Sequence, residues 1–401
     1  MGNNNSNQHN QSGNFIGNIY LRSVQRSIDI SGDVQLFRTL SRANPSGNML
    51  VSPLSITSAL AMVYLGARGD TADQMAQALS FQHGEAVHAE FKKLIEDINS
   101  PSKSYILKTA NRLYGEKTAM FLPRFLEETR KYYQADLKTV DFIGAVEASR
   151  KEINTWVEQQ TDNKIKDLLK TVSEGTRLVL VNAIYFKGNW KNRFDEAATK
   201  EMPFKVSPTE SKPVQMMFQK KNLPYNSIDD LQILELPYEK EELSMFILLP
   251  KQSTDGSDPL LKLEMELTLE RLNEWTDRKN MLVHSEIHVH LPKFKLEEDY
   301  DLKKPLSELG MTDVFSSSQA DLSGMNGGRD LFVSEVVHKA FMEVNEEGTE
   351  AAAATAVVTV GSCGPSVHMD LLFTADHPFL FFIRHNNTKS ILFLGRFSSP
   401  Q

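Results

Sequence analysis

The chain has a single cysteine, Cys363, among its 401 residues, so no disulfide can form within it. One thiol fits a reducing compartment. The chain also has no apolar run of membrane-spanning length, and its first residues lack the basic and apolar regions of a secretory signal. We therefore expect a cytoplasmic protein without stable membrane insertion. Release into the extracellular space would need a route that uses no signal peptide.

Long blocks of basic residues are absent as well, and 44 Lys and Arg residues are outnumbered by 52 Asp and Glu residues. The net charge of −8 argues against a nucleic-acid partner, because a phosphate backbone is bound by clustered cations. The length is sufficient to bury a large hydrophobic core.

The first part of the chain is poor in apolar residues, since residues 2–14 are mostly Asn, Gln, Ser and Gly. Such a composition cannot build a core. We therefore predict a disordered tail over residues 1–26 and one folded domain over residues 27–401. The start MGNNNS also fits an N-myristoylation motif at Gly2, although short motifs recur by chance. One acyl chain would hold a membrane only marginally.

Periodic patterns predict helices in the first half of the chain and strands mainly in the second. Ser52 and Pro53 resemble an N-cap and first turn of a helix that runs to Leu65, and Thr71 with Gln74 resembles a capping box. Two further helical faces are predicted, one formed by Val87, Phe91, Leu94, Ile95 and Ile98 and one by Ile153, Trp156 and Val157. Strands are predicted over residues 105–114, 178–186, 243–249, 282–291 and 391–397. No linker stands out, so the patterns indicate one large α+β unit.

Residues 343–356 form the most informative run of the chain. The run starts acidic, passes Gly348, and then becomes small and neutral. In an extended strand, one face would carry only small or β-branched side chains: Thr349, Ala351, Ala353, Thr355, Val357 and Thr359. Such a segment could lie on the surface and also enter a sheet without burying a charge. On composition alone, an alanine-rich helix or a flexible run is equally compatible.

Several dispersed motifs accompany this run. They are VSPLSI at 51–56, LVNAIYFKGNW at 180–190, ADLSGM at 320–325, VHKAF at 337–341 and HPFLFF at 377–382. With them, the chain resembles a serpin over residues 27–400. NRLYGEKT at 111–118 and GRFSSP at 395–400 place the resemblance within the intracellular, ovalbumin-like branch of that family. The tail is extra, and the segment between Ala356 and Phe373 differs from the family pattern, so the target of a relative does not transfer.

The resemblance implies a single large α+β domain with three β-sheets, about nine helices and an exposed reactive loop over about residues 346–373. It also implies a suicide-substrate inhibitor and no enzyme. A serine protease attacks the loop and forms an acyl-enzyme, and the cut loop then inserts as a new central strand that traps the protease. Serine proteases are thus the expected partners of a monomer that has no catalytic residue, no metal and no cofactor.

The resemblance further assigns roles to named residues. The hinge of the loop would be Glu346, Glu347, Gly348, Thr349, Glu350, Ala351, Ala352, Ala353, Ala354 and Thr355. Sheet opening would involve Ser52, Ser55, Asn182, Trp190 and His338. Counting from Gly348 by the usual family spacing places the reactive bond at Ser362–Cys363, to within a residue or two. Because residues 351–383 contain no Lys or Arg, a trypsin-like pocket would find no cation, and the sequence predicts elastase-like or chymotrypsin-like targets.

Several alternatives stay open at this point. The chain could be a non-inhibitory serpin-fold binding protein or chaperone, or it could trap papain-like cysteine proteases. Cys363 with His368 lacks the context of a catalytic triad, so an exposed thiol beside the reactive bond is the better interpretation. His284, Glu286, His288 and His290 alternate about 7 Å apart on one predicted strand face, and His288 with His290 could bind zinc. A polar strand face without metal is the favoured interpretation.

Overall fold

The computed structural model of the chain describes residues 31–81, 84–100, 104–348 and 370–401. Within these ranges the chain forms ten α-helices. The helices are α1 (Ser31–Ala43), α2 (Pro53–Tyr64), α3 (Gly69–Ala78), α4 (Ala86–Ile98), α5 (Pro123–Tyr133), α6 (Val146–Gln160), α7 (Pro259–Glu266), α8 (Leu269–Thr276), α9 (Lys303–Glu308) and α10 (Ser323–Asn326). Each of them is too short or too polar to cross a bilayer.

The same residues form fifteen strands. The strands are β1 (Met49–Val51), β2 (Tyr105–Glu116), β3 (Leu137–Val140), β4 (Leu178–Gly188), β5 (Lys200–Lys205), β6 (Ser211–Asn222), β7 (Tyr225–Ile228), β8 (Leu231–Pro237), β9 (Leu243–Pro250), β10 (Glu286–Pro292), β11 (Phe294–Asp301), β12 (Val333–Val344), β13 (Leu371–Thr374), β14 (Phe379–His385) and β15 (Ser390–Phe397).

The strands assemble into three sheets, which confirms the predicted α+β class. A five-stranded sheet has the order β11-β12-β4-β2-β3, a six-stranded sheet the order β1-β15-β14-β9-β8-β7, and a four-stranded sheet the order β13-β10-β6-β5. In the five-stranded sheet, β12 and β4 are parallel neighbours, whereas β2 and β4 are antiparallel. The ten described helices compare with about nine expected from the resemblance.

Strand β4 is buried on both faces, as its continuous apolar run predicted. Val179 and Val181 face a core cluster that includes Ile153 and Val157 of α6. Leu178 and Leu180 face the cluster formed with α2 and other helices. A further core fills the space between the six-stranded and four-stranded sheets. The five-stranded sheet is therefore a middle layer, and a change in its strand order must shift the packing on both sides.

One predicted helix start is confirmed, although without a capping bond, and one is wrong. Ser52 does occupy the N-cap of α2, with Pro53 in the first turn, but its hydroxyl makes no capping bond and instead donates to the Leu392 carbonyl oxygen over 2.6 Å. The capping box of Thr71 and Gln74 is wrong. Thr71 Oγ1 accepts from the backbone N–H of Asp321 over 2.9 Å, and Gln74 Oε1 accepts from a backbone N–H after α9. Both side chains are thus used by a distant segment.

Two predicted element ends also shift. Helix α2 ends at Tyr64, and Leu65 is its C-cap residue. Strand β10 begins at Glu286, whereas Leu282 makes only an isolated bridge with Tyr225.

A buried ion pair joins the last strand, β15, to helix α7. Arg396 Nη1 of β15 lies 2.8 Å from Glu264 Oε1 of α7, and both side chains are almost fully buried. Arg396 also donates to Ser41 Oγ over 3.0 Å and to the Gly47 carbonyl oxygen over 2.9 Å. The guanidinium therefore satisfies the buried polar groups of Glu264 and Ser41 as well as the part-buried Gly47 carbonyl.

We expect Arg396→Met to lower the free energy of unfolding by about 3–5 kcal/mol, because it leaves the Glu264 carboxylate buried without its cation. Urea unfolding followed by circular dichroism measures this loss. Lys191→Met is the matched control, since Lys191 forms an exposed pair with Glu241 over 2.9 Å, and we expect it to cost below about 1 kcal/mol. Equal losses in the two variants would contradict a structural role for the buried pair.

Candidate functional site

The centre of the five-stranded sheet is the place where a further strand could enter. Strands β4 and β12 run parallel there, and His338 lies opposite Asn182 in the register. Strand β12 ends at Val344, and the next described residue after Gly348 is Asp370, directly before β13 in the four-stranded sheet. Residues 349–369 therefore connect the centre of one sheet to the edge of another.

A polar cluster lies beneath this centre, and its four members are buried: Ser52, Ser55, Asn182 and His338. His338 Nδ1 donates to Asn182 Oδ1 over 2.7 Å, and His338 Nε2 accepts from the backbone N–H of Ser52 over 3.2 Å. Asn182 Nδ2 donates to Ser55 Oγ over 2.8 Å. The cluster thus links β4, β12 and the start of α2 with a neutral imidazole at its middle.

Burial lowers the pKa of His338 to about 3, although its hydrogen bond with Asn182 acts in the opposite direction. Tyr300 of β11 completes the surroundings of the ring. Its ring stacks on His338 with centroids 6.3 Å apart, and its hydroxyl accepts from the backbone N–H of Leu50 over 3.2 Å. Sequence analysis missed Tyr300, because a single tyrosine on an acidic strand carries no pattern of its own.

The C-terminal end of β12 is held by Trp190, which follows β4. The Trp190 indole stacks on Tyr238 with ring centroids 4.5 Å apart. Its Nε1–H donates to the Asn345 carbonyl oxygen over 2.9 Å, and its backbone N–H donates to the Glu347 carbonyl oxygen over 3.0 Å. Trp190 therefore binds the turn at 345–348 through both its side chain and its backbone.

Gly348 closes this turn in a conformation that favours glycine. Its φ is +100°, and its N–H donates to the Asn345 carbonyl oxygen over 3.3 Å. A Cβ at this position would lie 2.5 Å from both the Gly188 carbonyl oxygen and the Trp190 backbone nitrogen. Since both neighbours are backbone atoms, they cannot move aside as a side chain would. The close approach to Trp190 thus requires glycine here.

Glu346 anchors the same turn from its other side. One carboxylate oxygen accepts from Thr199 Oγ1 over 2.8 Å, and the other lies 3.0 Å from Lys293 Nζ. Its backbone oxygen accepts from the N–H of Phe194 over 2.8 Å. Burial acts to raise the pKa of Glu346, but the bonds from Lys293 and Thr199 outweigh it and hold the pKa below its ordinary value.

This arrangement of a parallel strand pair, a buried neutral cluster and a glycine turn can be compared with known proteins. The family model described as "Serpin (serine protease inhibitor)" matches residues 33–400. The chain belongs to the serpin family. The family predicted from the dispersed motifs is thereby confirmed, and members of this family are described as inhibitors of serine proteases.

Curated relatives of this serpin include leukocyte elastase inhibitors from three animals. The protein from Homo sapiens is 56% identical over 372 residues, that from Equus caballus 55% identical over 372 residues, and that from Xenopus laevis 52% identical over 370 residues. These alignments cover 91–92% of this chain and 96–97% of the relatives.

Solved structures with the same fold include uncleaved ovalbumin, with a TM-score of 0.84 and 38% identity over 93% of this chain and 99% of that chain. A structure of maspin has a TM-score of 0.84 and 36% identity over 95% of this chain and 99% of that chain.

The predicted site residues of this serpin fall into two groups. Ser52, Ser55, Asn182 and His338 meet in one cluster, whereas Trp190 lies at the turn with the first three hinge residues, roughly 25 Å away along β4. The other named residues lie outside the described ranges: Thr349, Glu350, Ala351, Ala352, Ala353, Ala354, Thr355, Ser362 and Cys363. Lys293 and Thr199 were missed, because nothing local in the sequence pairs them with Glu346.

The predicted histidine face is only partly formed. His284 precedes β10, so only Glu286, His288 and His290 belong to the strand. His288 Nε2 lies 3.8 Å from Asp370 Oδ2, and the ring of Phe218 packs against both strand histidines. The residues that the structure describes contain no group of three or more side chains suited to holding a metal ion.

We expect Glu346→Gln to lower the free energy of unfolding by about 1–3 kcal/mol, because the charge-assisted bond to Lys293 is replaced by a weaker neutral one. Thermal unfolding at neutral pH measures this change. Glu347→Gln is the matched control, since the Glu347 carboxylate lies 4.0 Å from Arg193 Nη1 and only approaches ion-pair distance. An equal or larger loss in the control would contradict a special role for Glu346.

We also expect a pH-dependent stability term from His338. The pKa of His338 in the native protein lies below the value near 6.5 that it has in the unfolded chain. Acidification below pH 6.5 therefore protonates His338 in the unfolded state alone. Stability should therefore fall by up to about 1.4 kcal/mol per pH unit between pH 6 and pH 4. His338→Gln should reduce this slope in urea unfolding measured at several pH values, while the contribution of His88, whose pKa burial lowers to about 4, should stay. His288→Gln should keep it, and identical slopes in wild type and His338→Gln would refute the assignment.

Proposed function

We propose that this serpin acts as a suicide substrate that traps elastase-like or chymotrypsin-like serine proteases by inserting its cut loop between β4 and β12. The observation that carries the proposal is the parallel pair of β4 and β12. The C-terminal end of β12 leads directly into the glycine turn at 345–348. A chain that turns back there would run antiparallel to both strands. Insertion would replace one parallel pairing by two antiparallel ones, which are slightly more stable per residue.

The polar cluster supports a role in sheet opening. Neighbouring strands lie about 4.8 Å apart, so an added strand would separate β4 and β12 to about twice that distance. The bond of 2.7 Å between His338 Nδ1 and Asn182 Oδ1 crosses this boundary and could not persist. We infer that Ser52, Ser55, Asn182 and His338 hold the sheet closed until the loop is cut.

The hinge composition supports insertion as well. Thr349, Ala351, Ala353 and Thr355 would present small side chains to the interior, so no charge would need burial. We assign the reactive bond to Ser362–Cys363. The lack of Lys and Arg over residues 351–383 favours proteases with apolar or small pockets. The name of the curated relatives, leukocyte elastase inhibitor, accords with this class of target.

We further propose a cytoplasmic monomer with a folded domain over residues 27–401 and a tail over residues 1–26 that inhibition does not need. Residues 2–14 offer almost no apolar surface to a fold, so their deletion should leave trapping unchanged. These residues lie outside the described ranges, as does Gly2 with its myristoylation motif.

Incubation with pancreatic elastase, chymotrypsin, thrombin and papain tests the proposal. We expect a complex with elastase or chymotrypsin that survives denaturing electrophoresis, a released fragment that begins at or next to Cys363, and no complex with thrombin. A stable thrombin complex would overturn the specificity. A complex with papain alone would favour the cysteine-protease alternative, and cleavage without any complex would favour a non-inhibitory serpin.

Thr349→Arg tests insertion itself in the same assay. Because Thr349 would be the first side chain to turn inward, an arginine there would have to be buried unpaired at a cost of several kcal/mol. We expect the variant to be cleaved at the same bond without forming a complex. Glu350→Arg is the matched control, since the neighbouring side chain of a strand points to the opposite face. This control should still trap the protease, and a trapping Thr349→Arg variant would refute the insertion model.

A further inference from the structure

Two exposed leucines lie close to the point where the chain re-enters the described fold after Gly348. Leu372 of β13 is 59% exposed, and Leu282, in the segment before β10, is 53% exposed. The described chain resumes at Asp370, so Leu372 is only two residues further on. A single exposed leucine is ordinary, but a pair that shares one rigid support can mark an interaction site.

Gln232 and Tyr225 form this support between the two leucines. Gln232 Nε2 donates to the Leu372 carbonyl oxygen over 3.0 Å and to the Tyr225 hydroxyl over 2.9 Å. Tyr225 is buried, and its backbone exchanges two hydrogen bonds with the backbone of Leu282, of 2.7 and 2.9 Å. The backbone of both leucines is therefore fixed before any partner arrives, which lowers the entropy that binding would cost.

Leu372 points to the outer face of the four-stranded sheet. Its neighbour Phe373 is buried in the core between this sheet and the six-stranded sheet, and successive side chains of a strand point to opposite faces. His288 lies opposite Leu372 in the register of β10 and β13, and its Nε2 is 3.8 Å from Asp370 Oδ2. Leu372 therefore presents its side chain to solvent at the edge of the sheet that the loop enters.

The position of the reactive bond selects the partner. Asp370 is seven residues after Cys363, and seven residues span at most about 25 Å. A compact domain of about 200 residues has a radius of gyration near 16 Å, and hence a diameter of roughly 40 Å. A protease that holds the bond between Ser362 and Cys363 must therefore lie within about 25 Å of β13, which is less than its own diameter. Its surface can reach Leu282 and Leu372.

We propose that Leu282 and Leu372 form an exosite for the attacking protease, that is, a contact outside the reactive bond that strengthens the encounter before acylation. The inference rests on the proposed function, because it takes an elastase-like or chymotrypsin-like protease as the partner. An apolar patch on the protease would cover both leucine side chains. The same contact is present before and during acylation, so it raises the rate of trapping. Loop insertion follows later at β4 and β12, so the yield of trapping stays the same.

Encounter binding can be measured without cleavage by using elastase or chymotrypsin whose active-site serine is replaced by alanine. Surface plasmon resonance then compares the wild-type serpin with a variant that combines Leu282→Ser and Leu372→Ser. We expect the variant to bind at least about fivefold more weakly, because it loses the burial of two apolar side chains. The matched control combines Leu261→Ser and Met265→Ser, which remove two exposed apolar side chains from α7. We expect the control to change binding by less than about twofold.

Trapping kinetics with the active proteases test the consequence. We expect the second-order rate constant of complex formation to fall by the same factor in the variant with both serines, with no change in the number of serpin molecules consumed per trapped protease. Combining Leu282→Met and Leu372→Met should restore the wild-type rate, because methionine keeps a similar apolar volume.

The outcomes separate the exosite from the proposed function. Equal encounter binding by wild type and the variant with both serines, or no binding by either, would overturn the exosite. A larger number of serpin molecules consumed per trapped protease would also overturn it, because the leucines would then act on loop insertion. Weaker encounter binding of the variant, together with no trapping by wild type, would refute the proposed function and support the exosite.

Discussion

The hydrogen bond from His338 Nδ1 to Asn182 Oδ1 is the interaction on which the centre of this serpin depends. It joins the two parallel strands β12 and β4, and both side chains are buried, so water cannot replace either partner. Further bonds extend it to the backbone of Ser52 and to Ser55, and through the Ser52 hydroxyl to β15. Helix α2 and three strands are thus held by one neutral network, which any widening of the sheet has to break.

The C-terminal ends of the same two strands are held by a different kind of interaction. Glu346 is buried, but its partner Lys293 is half exposed, so salt can screen this ion pair far more than it can weaken the neutral cluster. The turn next to it is fixed by backbone geometry, because Gly348 approaches Gly188 and Trp190 too closely for any Cβ. The two ends therefore respond to different conditions, pH acting on the buried imidazole and ionic strength on the hinge.

Local patterns predicted most of the secondary structure near the site. The apolar run at 178–186 became the buried strand β4, and the apolar spacing from Val87 to Ile98 became the buried face of α4. The predicted capping box failed because Thr71 and Gln74 bond to a segment more than 230 residues away along the chain. A capping motif specifies side chains that can bond a helix start, but it cannot exclude a better partner from elsewhere in the fold.

The sequence by itself determined the family, through dispersed motifs, and the small, neutral face of residues 349–355, which follows from side-chain size and charge alone. Only the tertiary structure decided which polar groups meet. Ser55 and Asn182 are 127 residues apart, and Asn182 and His338 are 156 residues apart. Likewise, no local pattern joins Glu346 to Lys293 and Thr199. The physical reason is that hydrogen-bond and ion-pair partners are set by distances of about 3 Å in space, which depend on the sheet order and not on spacing along the chain.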